Sequence, residues 1–232
     1  MKYYLIITTL IWCNAYAQVA GETKAASGKL DFNYYRDSRA YNVMTINLLA
    51  DLPGRFQYFS LVDYFSEMQS PESADTERYY TEQNVRYYLS QDKVLAISLQ
   101  AAMQSGQRND LVRAGLLVNI SSISTLEDFF KRNAVTFGIN LFPVQADHQD
   151  GFNWQVEYIY SVVIAPRIFN SRLYLAGFAD QNMNQDEISW VTEHQLGYRF
   201  YNNFFVVTEY RINEGLDKET GLGVGLEFLL PF

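Results

Sequence analysis

The sequence predicts an all-β protein, an antiparallel transmembrane β-barrel of about twelve strands with short periplasmic turns and longer extracellular loops. Three observations favour this fold class. The chain of 232 residues carries 18 tyrosines and 16 phenylalanines, yet its mean hydropathy is −0.17. Beyond the N-terminal segment, no uninterrupted apolar stretch approaches the length of a membrane-spanning helix. Apolar and polar residues alternate instead with a period of two, as the lipid-facing and lumen-facing positions of a barrel strand do.

The N-terminal segment has the features of a secretory signal. Lys2 supplies a positive charge, residues 4–12 form a short apolar stretch, and the Ala-Tyr-Ala of residues 15–17 is a small-x-small cleavage pattern. The single cysteine, Cys13, leaves with this segment, so the mature chain has neither disulfides nor thiolate metal ligands. We therefore expect a cleaved signal peptide at residues 1–17, a flexible lead-in at residues 18–28 and the barrel at residues 29–232.

Composition and motifs exclude several function classes. The 26 acidic and 18 basic residues give a formal net charge of −8, whereas a nucleic-acid groove needs a basic stripe. The sequence contains no glycine-rich phosphate loop, zinc-binding helix motif or nucleophile elbow. We therefore expect no cofactor, no metal site and no nucleic-acid partner. An acidic secreted β-sandwich remains open on composition alone, so the pattern along the chain has to decide.

The last segment is the clearest strand. From Gly221 to Phe232 the even positions are all apolar, whereas the odd positions include three glycines and Glu227. The two preceding segments, residues 204–212 and 188–200, alternate in the same way and carry charges on one face only. Because the final strand ends in phenylalanine, we expect the barrel-assembly machinery to bind the chain there.

The rest of the chain supplies the remaining strands. Clear alternation marks residues 154–162, 135–141, 112–119 and 95–102, and weaker alternation marks residues 172–180, 78–89, 55–65, 41–50 and 29–36. An outer-membrane barrel starts and ends in the periplasm, so even-numbered strands should be followed by short turns. Such turns are found at residues 51–54, 91–92 and 201–202, and longer polar connections at residues 66–77, 143–151 and 214–221.

One connection breaks this rule. Residues 121–131 follow an even-numbered strand, yet they form a long connection in which Ser124 and Thr125 precede two acidic residues, as at a capped helix start. We interpret Ser121–Lys131 as a short periplasmic helix. A miscounted strand is the alternative.

Charge type and aromatic placement distinguish a membrane barrel from a soluble sandwich or lipocalin-like barrel, which puts its apolar residues inside and its charges outside. The charges within the strands are mostly Asp, Glu and Arg, and arginine suits interior ion-pair networks because its planar fork matches carboxylates. Aromatic residues lie near strand ends, where a membrane barrel has its two interfacial girdles. We therefore expect outer-membrane lipids around the barrel. The aromatic residues are Tyr34, Tyr41, Tyr58, Tyr64, Tyr79, Trp154, Trp190, Tyr198 and Phe200.

Three short motifs carry a family resemblance. With the order of the elements, they resemble the nucleoside-specific channel-forming outer-membrane porins and their shorter relatives, over the whole mature chain. The resemblance implies a monomeric twelve-stranded barrel with a narrow pore for nucleosides. The motifs are Tyr58-Phe59-Ser60-Leu61-Val62-Asp63, Leu175-Ala176-Gly177-Phe178-Ala179-Asp180 and Leu226-Glu227-Phe228-Leu229-Leu230-Pro231-Phe232.

The predicted lumen face carries the candidate site residues. Twelve strands should leave a narrow passage, between the filled interior of eight strands and the open channel of sixteen. We expect a constricted pore for passive uptake of small polar solutes, in which Asp63, Asp180 and Glu209 face water. The lumen-face aromatics are suited to stack a nucleobase, with filling of the interior as the alternative. The charged candidates are Asp63, Glu82, Arg86, Arg113, Glu157, Asp180, Glu193, Arg199, Glu209, Arg211 and Glu227, and the aromatic ones are Phe59, Tyr80, Tyr88, Tyr174 and Phe178.

Three other functions stay open: a structural barrel without a pore, an adhesin-like surface protein, and a lipid-facing hydrolase of the lipase or lipid A deacylase type. His194 motivates the hydrolase. Its parity, meaning its even position in the period-two alternation of its strand, places it on the lipid-facing side. A catalytic triad needs a nucleophile beside the base, and Ser189 has the opposite parity, so we expect no enzyme. His148 lies in a polar stretch that indicates a solvated extracellular loop.

Overall fold

The computed structural model describes residues 25–67, 78–107, 109–148, 151–184 and 187–232. It contains twelve strands: β1 Ser27–Asp37, β2 Tyr41–Leu52, β3 Phe56–Glu67, β4 Arg78–Tyr88, β5 Leu95–Gln104, β6 Leu111–Asn119, β7 Val135–Ala146, β8 Asn153–Val163, β9 Leu173–Asn184, β10 Glu187–Tyr201, β11 Phe204–Asn213 and β12 Thr220–Pro231. Each strand pairs antiparallel with its neighbour in sequence, and β1 pairs with β12 to close the barrel. The predicted fold class and strand number are confirmed.

The two ends of the described chain close the barrel. Gly28 and Phe232 exchange two backbone hydrogen bonds, with N···O distances of 2.8 and 3.0 Å. Because β1 begins at Ser27, residues 27–28 belong to the barrel and not to the lead-in, which corrects the expected boundary. These two residues pair through their backbone, which side-chain alternation does not reveal. The predicted signal peptide lies outside the described residues.

The barrel is inverted relative to a water-soluble protein. Its outward face exposes large apolar side chains, among them Tyr34, Val206 and Leu226, which are 58%, 47% and 55% exposed. Its buried residues are more often polar or charged than apolar, and charged side chains such as Asp63 and Arg211 are among them. Water-soluble monomers rarely expose a contiguous apolar surface of this extent. The polar side of the sheet is therefore the lumen, as the alternation predicts.

The connections depart from the predicted division into short and long. We call the end at which β1 begins and β12 ends the base of the barrel, and the opposite end the rim. The base has the short turns 53–55 and 202–203, but also the long connections 120–134 and 164–172. The rim connection 38–40 is short. Alternation locates the strands, but it carries little information about the connections between them.

The interpreted helix is present at the base. α1 spans Ser124–Asn133 and follows a 3-10 turn at Ile120–Ser122. Its N-cap is Ile123, which makes no side-chain capping hydrogen bond, so the expected serine cap lies one position inside the helix. No helix in the described part of the chain is long and apolar enough to cross a membrane.

Candidate functional site

The lumen is the candidate functional site, because the site residues predicted from the sequence lie on the inner faces of their strands. The strand registers place Arg211 beside Glu193 and Glu157 beside Asp180. The structure gathers most of the charged residues into two groups on two sides of the lumen, whereas Arg199 lies apart, near the base. Their part in solute passage stays a prediction.

Arg211 is the centre of the first group, which we call the arginine hub: Arg211, Asp63, Glu193, Glu209 and Tyr35. One guanidinium nitrogen lies 2.9 Å from Glu193 Oε2 and another 3.4 Å from Asp63 Oδ2, and Nε donates to Glu209. Nη2 also donates to the hydroxyl of Tyr35. One cation thus meets three carboxylates, and the hub is rich in acid.

Most of the hub is buried, which corrects the expectation that Asp63 and Glu209 face water, whereas Glu193 is half-buried. Asp63 is only 4% exposed and Glu209 only 2% exposed. The ring of Tyr35 fills the space above β12: a Cβ added at Gly223 would lie 2.8 Å from the Tyr35 Cδ2. Glycine on an inner face permits this close approach. Parity identifies the inner face, but it does not show how far a side chain reaches across the lumen.

The second group, which we call the acidic wall, contains Glu82, Glu157 and Asp180 with the amides Asn84 and Asn140. The three carboxylates interact electrostatically with one another. Nδ2 of Asn84 lies 2.6 Å from a Glu82 oxygen, and Asn140 donates to Glu157. Asp180 is half-buried, and the other four residues are buried. The two asparagines were not predicted, although their inner-face parity could have identified them.

The arginines beside the acidic wall donate to glutamine amides. Arg113 lies 2.6 Å from both the Gln100 and the Gln145 side-chain oxygens. Arg86 lies 3.1 Å from the Gln57 oxygen. Glu82 and Glu157 take hydrogen bonds from asparagine amides instead, and Asp180 takes one from Gln155. Arginine and carboxylate therefore interact here without direct pairing.

A third polar group lies closer to the base and contains Asp31 and Gln195, which were not predicted. Tyr174 donates to Glu227, and Gln195 Nε2 lies 2.5 Å from the Tyr174 hydroxyl. The Tyr174 ring covers Gly197, where an added Cβ would lie 2.2 Å from the ring. Asp31 was not identified from the sequence because the alternation in β1 is weak, and its position in that alternation is the only sign that its side chain points inward.

The lumen aromatics are engaged in these groups to different degrees. The Tyr80 hydroxyl lies 3.1 Å from Glu82, and Tyr88 is 3% exposed. The Arg86 guanidinium lies 5.9 Å from the centre of the Phe59 ring, which is half-buried like Phe178. Filling of the interior therefore describes Tyr88, whereas Phe59, Phe178 and Tyr174 keep part of their surface accessible.

His194 lies on the outward face, as its parity predicts, and has a tyrosine partner that the sequence did not indicate. Its Nδ1 lies 2.7 Å from the hydroxyl of Tyr160, across Gly177 of β9, which pairs with both residues. A phenol is not the serine nucleophile that a hydrolase triad uses. His148 is exposed, in agreement with a solvated loop.

The lumen near the base contains a cavity of about 110 Å³, lined by Arg86, Asn119, Ser121 and Phe137 among others. The interior is therefore not filled along its whole length. Among the residues that the structure describes, no three His, Cys, Asp or Glu side chains are placed together to hold a metal ion.

Comparisons with known proteins identify the fold. No protein-family model and no curated protein matches this sequence. Two solved structures of the KdgM porin are similar to it: one has a TM-score of 0.52 at 11% identity, and the other, in complex with disordered oligogalacturonate, has 0.51 at 12% identity. Both alignments cover 86% of this chain and 98% of the porin chain. The chain thus has the barrel fold of an outer-membrane porin. The resemblance to nucleoside-specific channels is not confirmed.

Proposed function

We propose that this protein is an outer-membrane channel for the passive uptake of small polar solutes. The observation that carries the proposal is the inside-out barrel, with charged and amide side chains in the lumen and large apolar side chains on the outward face. Such an outward face fits the hydrocarbon of a bilayer. A twelve-stranded barrel also has more interior than its own side chains must fill, and its fold is that of a porin.

The arginine hub crosses the lumen, because Arg211 on β11 contacts Asp63 on β3. Arg211, Asp63 and Glu209 are buried, so we expect the hub side chains to restrict the passage of a solute. The same burial favours a second candidate function, a structural barrel without a pore, since a dry ion-pair network is costly to open. Conductance separates the two functions.

Nucleosides are one solute class within the proposal. They are supported by the sequence resemblance and by the half-buried rings of Phe59 and Phe178, which offer inward aromatic surface for stacking. Acidic saccharides suit this lumen less well, because carboxylates outnumber arginines in both the hub and the wall. In this respect we expect it to differ from the KdgM porin that was solved with oligogalacturonate.

A liposome-swelling assay with sugars, amino acids and nucleosides tests the channel. We expect swelling with small neutral solutes at rates that fall with solute size. The double variant Asp63→Asn/Asp180→Asn should change single-channel conductance in planar bilayers, because carboxylates at a constriction set its potential. Glu127→Gln, on the exposed helix α1, is the control. If the folded, membrane-inserted protein causes neither swelling nor conductance, the channel is excluded and the structural barrel without a pore is the remaining function.

A further inference from the structure

The acidic wall presents acceptor oxygens that no donor of the chain satisfies. Oδ1 of Asn84 and Oδ1 of Asn140 are buried without a hydrogen-bond partner, although Nδ2 of each residue donates to a carboxylate. Oδ1 of Asp180 and Oε1 of Gln155 are also buried without a partner. A buried acceptor is destabilising until it meets a donor, so this concentration of acceptors points to a donor from outside the chain.

The charge of the lumen specifies what kind of donor fits. The arginine hub joins one guanidinium to three carboxylates. In the acidic wall, three carboxylates lie near Arg113 and Arg86, whose hydrogen bonds go to glutamines. Both groups therefore carry more negative than positive charge when their carboxylates are ionised. A positively charged solute is favoured in such a lumen.

We propose that the acidic wall binds the ammonium group of small organic cations, and that the channel prefers these solutes to neutral and anionic ones. A primary ammonium combines one positive charge with three N–H donors. Glu157 and Asp180 supply the countercharge, and Oδ1 of Asn84 and Oδ1 of Asn140 accept the remaining N–H groups. This inference names the solute class of the proposed channel and so rests on the proposed function.

Asp180 is the point of access to the wall. Every residue of β9 is only half-buried, whereas the other residues of the wall are buried. Asp180 pairs directly with Glu157 in the register of β8 and β9. We therefore expect a cation in the lumen to reach Asp180 before Glu157.

Binding is measured first, on the refolded full-length barrel in detergent. Urea unfolding is followed with 1,4-diaminobutane, with 1,4-butanediol as the uncharged molecule of the same length, and with calcium chloride, all at equal ionic strength. A ligand that binds the folded state raises the unfolding midpoint. We expect this effect from diaminobutane and not from butanediol or calcium.

Two conservative variants locate the effect. Asp180→Asn and Glu157→Gln should each raise the apparent Kd for diaminobutane roughly tenfold, the size of one lost charge-assisted hydrogen bond. Glu127→Gln on α1 should leave it unchanged. Any of three results would overturn the proposal. The diamine and the diol stabilise the folded state equally, calcium alone stabilises it, or the effect of the diamine persists in both lumen variants. If one variant fails to fold, the other and the parent comparison still decide.

Reversal potentials in planar bilayers separate this inference from the proposed function. Across a gradient of diaminobutane dihydrochloride, we expect the parent to be cation-selective and Asp180→Asn to be several-fold less so. Conductance with anion selectivity or with no selectivity would overturn the ammonium preference and leave the channel standing. Diamine binding without any conductance would overturn the channel and leave the binding site.

Discussion

Arg211 on β11 contacts Asp63 on β3, with Nη1 and Oδ2 3.4 Å apart. Three strands, β12, β1 and β2, separate β11 from β3 around the barrel. The contact therefore crosses the lumen instead of following the wall, and it joins residues 148 positions apart in the sequence. The hub thus ties β1 and β3, near the start of the barrel, to β10 and β11, near its end.

Arg211→Leu should destabilise the barrel strongly. Removal of the guanidinium leaves the buried Asp63 and Glu209 and the half-buried Glu193 without their countercharge. Breaking a buried ion pair in this way costs about 3–5 kcal/mol. Urea unfolding of the refolded protein measures the loss. Lys131→Met, which removes an exposed helix pair with Glu127, is the matched control and should leave the midpoint unchanged. An unchanged midpoint for Arg211→Leu would show that the hub does not hold the barrel together.

Leu226→Asp should reduce membrane assembly. Leu226 lies midway along β12 on the outward face and is 55% exposed, so a carboxylate there faces hydrocarbon, where charges are penalised. Leu216→Asp is the control, because Leu216 is 57% exposed but lies in the rim connection after β11. Heat-modifiable, membrane-embedded protein on gels measures assembly. Equal assembly of both variants would count against the membrane barrel.

Deletion of Phe232 should slow or prevent closure of the barrel. The residue supplies both backbone hydrogen bonds to Gly28 at the base and ends the strand that we expect the barrel-assembly machinery to bind. Assembly assays in cells and refolding into liposomes distinguish the two roles. A defect only in cells indicates lost recognition, a defect in both indicates lost closure, and normal assembly in both would refute the prediction.

Gly197→Ala should lower the free energy of unfolding by about 1–3 kcal/mol, the usual cost of overpacking. The new Cβ would collide with the ring of Tyr174 and displace its hydroxyl from Glu227. Combined with Tyr174→Ala, the loss should be less than additive, because the collision is gone. Gly138→Ala is the control, since its Cβ would meet the flexible Asn119 side chain at 3.2 Å and the other neighbours at ordinary contact distances of 3.5 Å or more. If the free-energy losses of the two variants are additive, the destabilisation by Gly197→Ala does not come from a collision with Tyr174.

His194→Ala should leave the lipid composition of expressing cells unchanged. Its partner Tyr160 offers no serine nucleophile, so we expect no lipase or deacylase activity from this pair. Thin-layer chromatography and mass spectrometry of membrane lipids measure the effect, with Tyr160→Phe as the companion variant. Loss of a lipid product in both variants would favour the lipid-facing hydrolase.

The sequence was sufficient to predict the number of strands and the face on which each site residue lies. Alternation of period two is a local property, so Leu226 and Glu227 reveal their opposite faces without any knowledge of the fold. The helix after β6 was also predicted, although its capping residue was not. The long connection 164–172 at the base was not predicted, because no face pattern extends into a connection.

Only the tertiary structure decided which inward-facing side chains contact one another. Parity places Arg211 and Asp63 on inner faces, but their contact depends on closure of the ring and on the reach of both side chains. The contact of Tyr35 with Arg211 likewise depends on the closed barrel, since the Tyr35 ring has room because β12 has glycine opposite it. The unpartnered oxygens of Asn84 and Asn140 follow from side-chain orientations that the closed barrel sets. Strand faces are encoded locally, whereas contacts across a lumen are a property of the closed barrel.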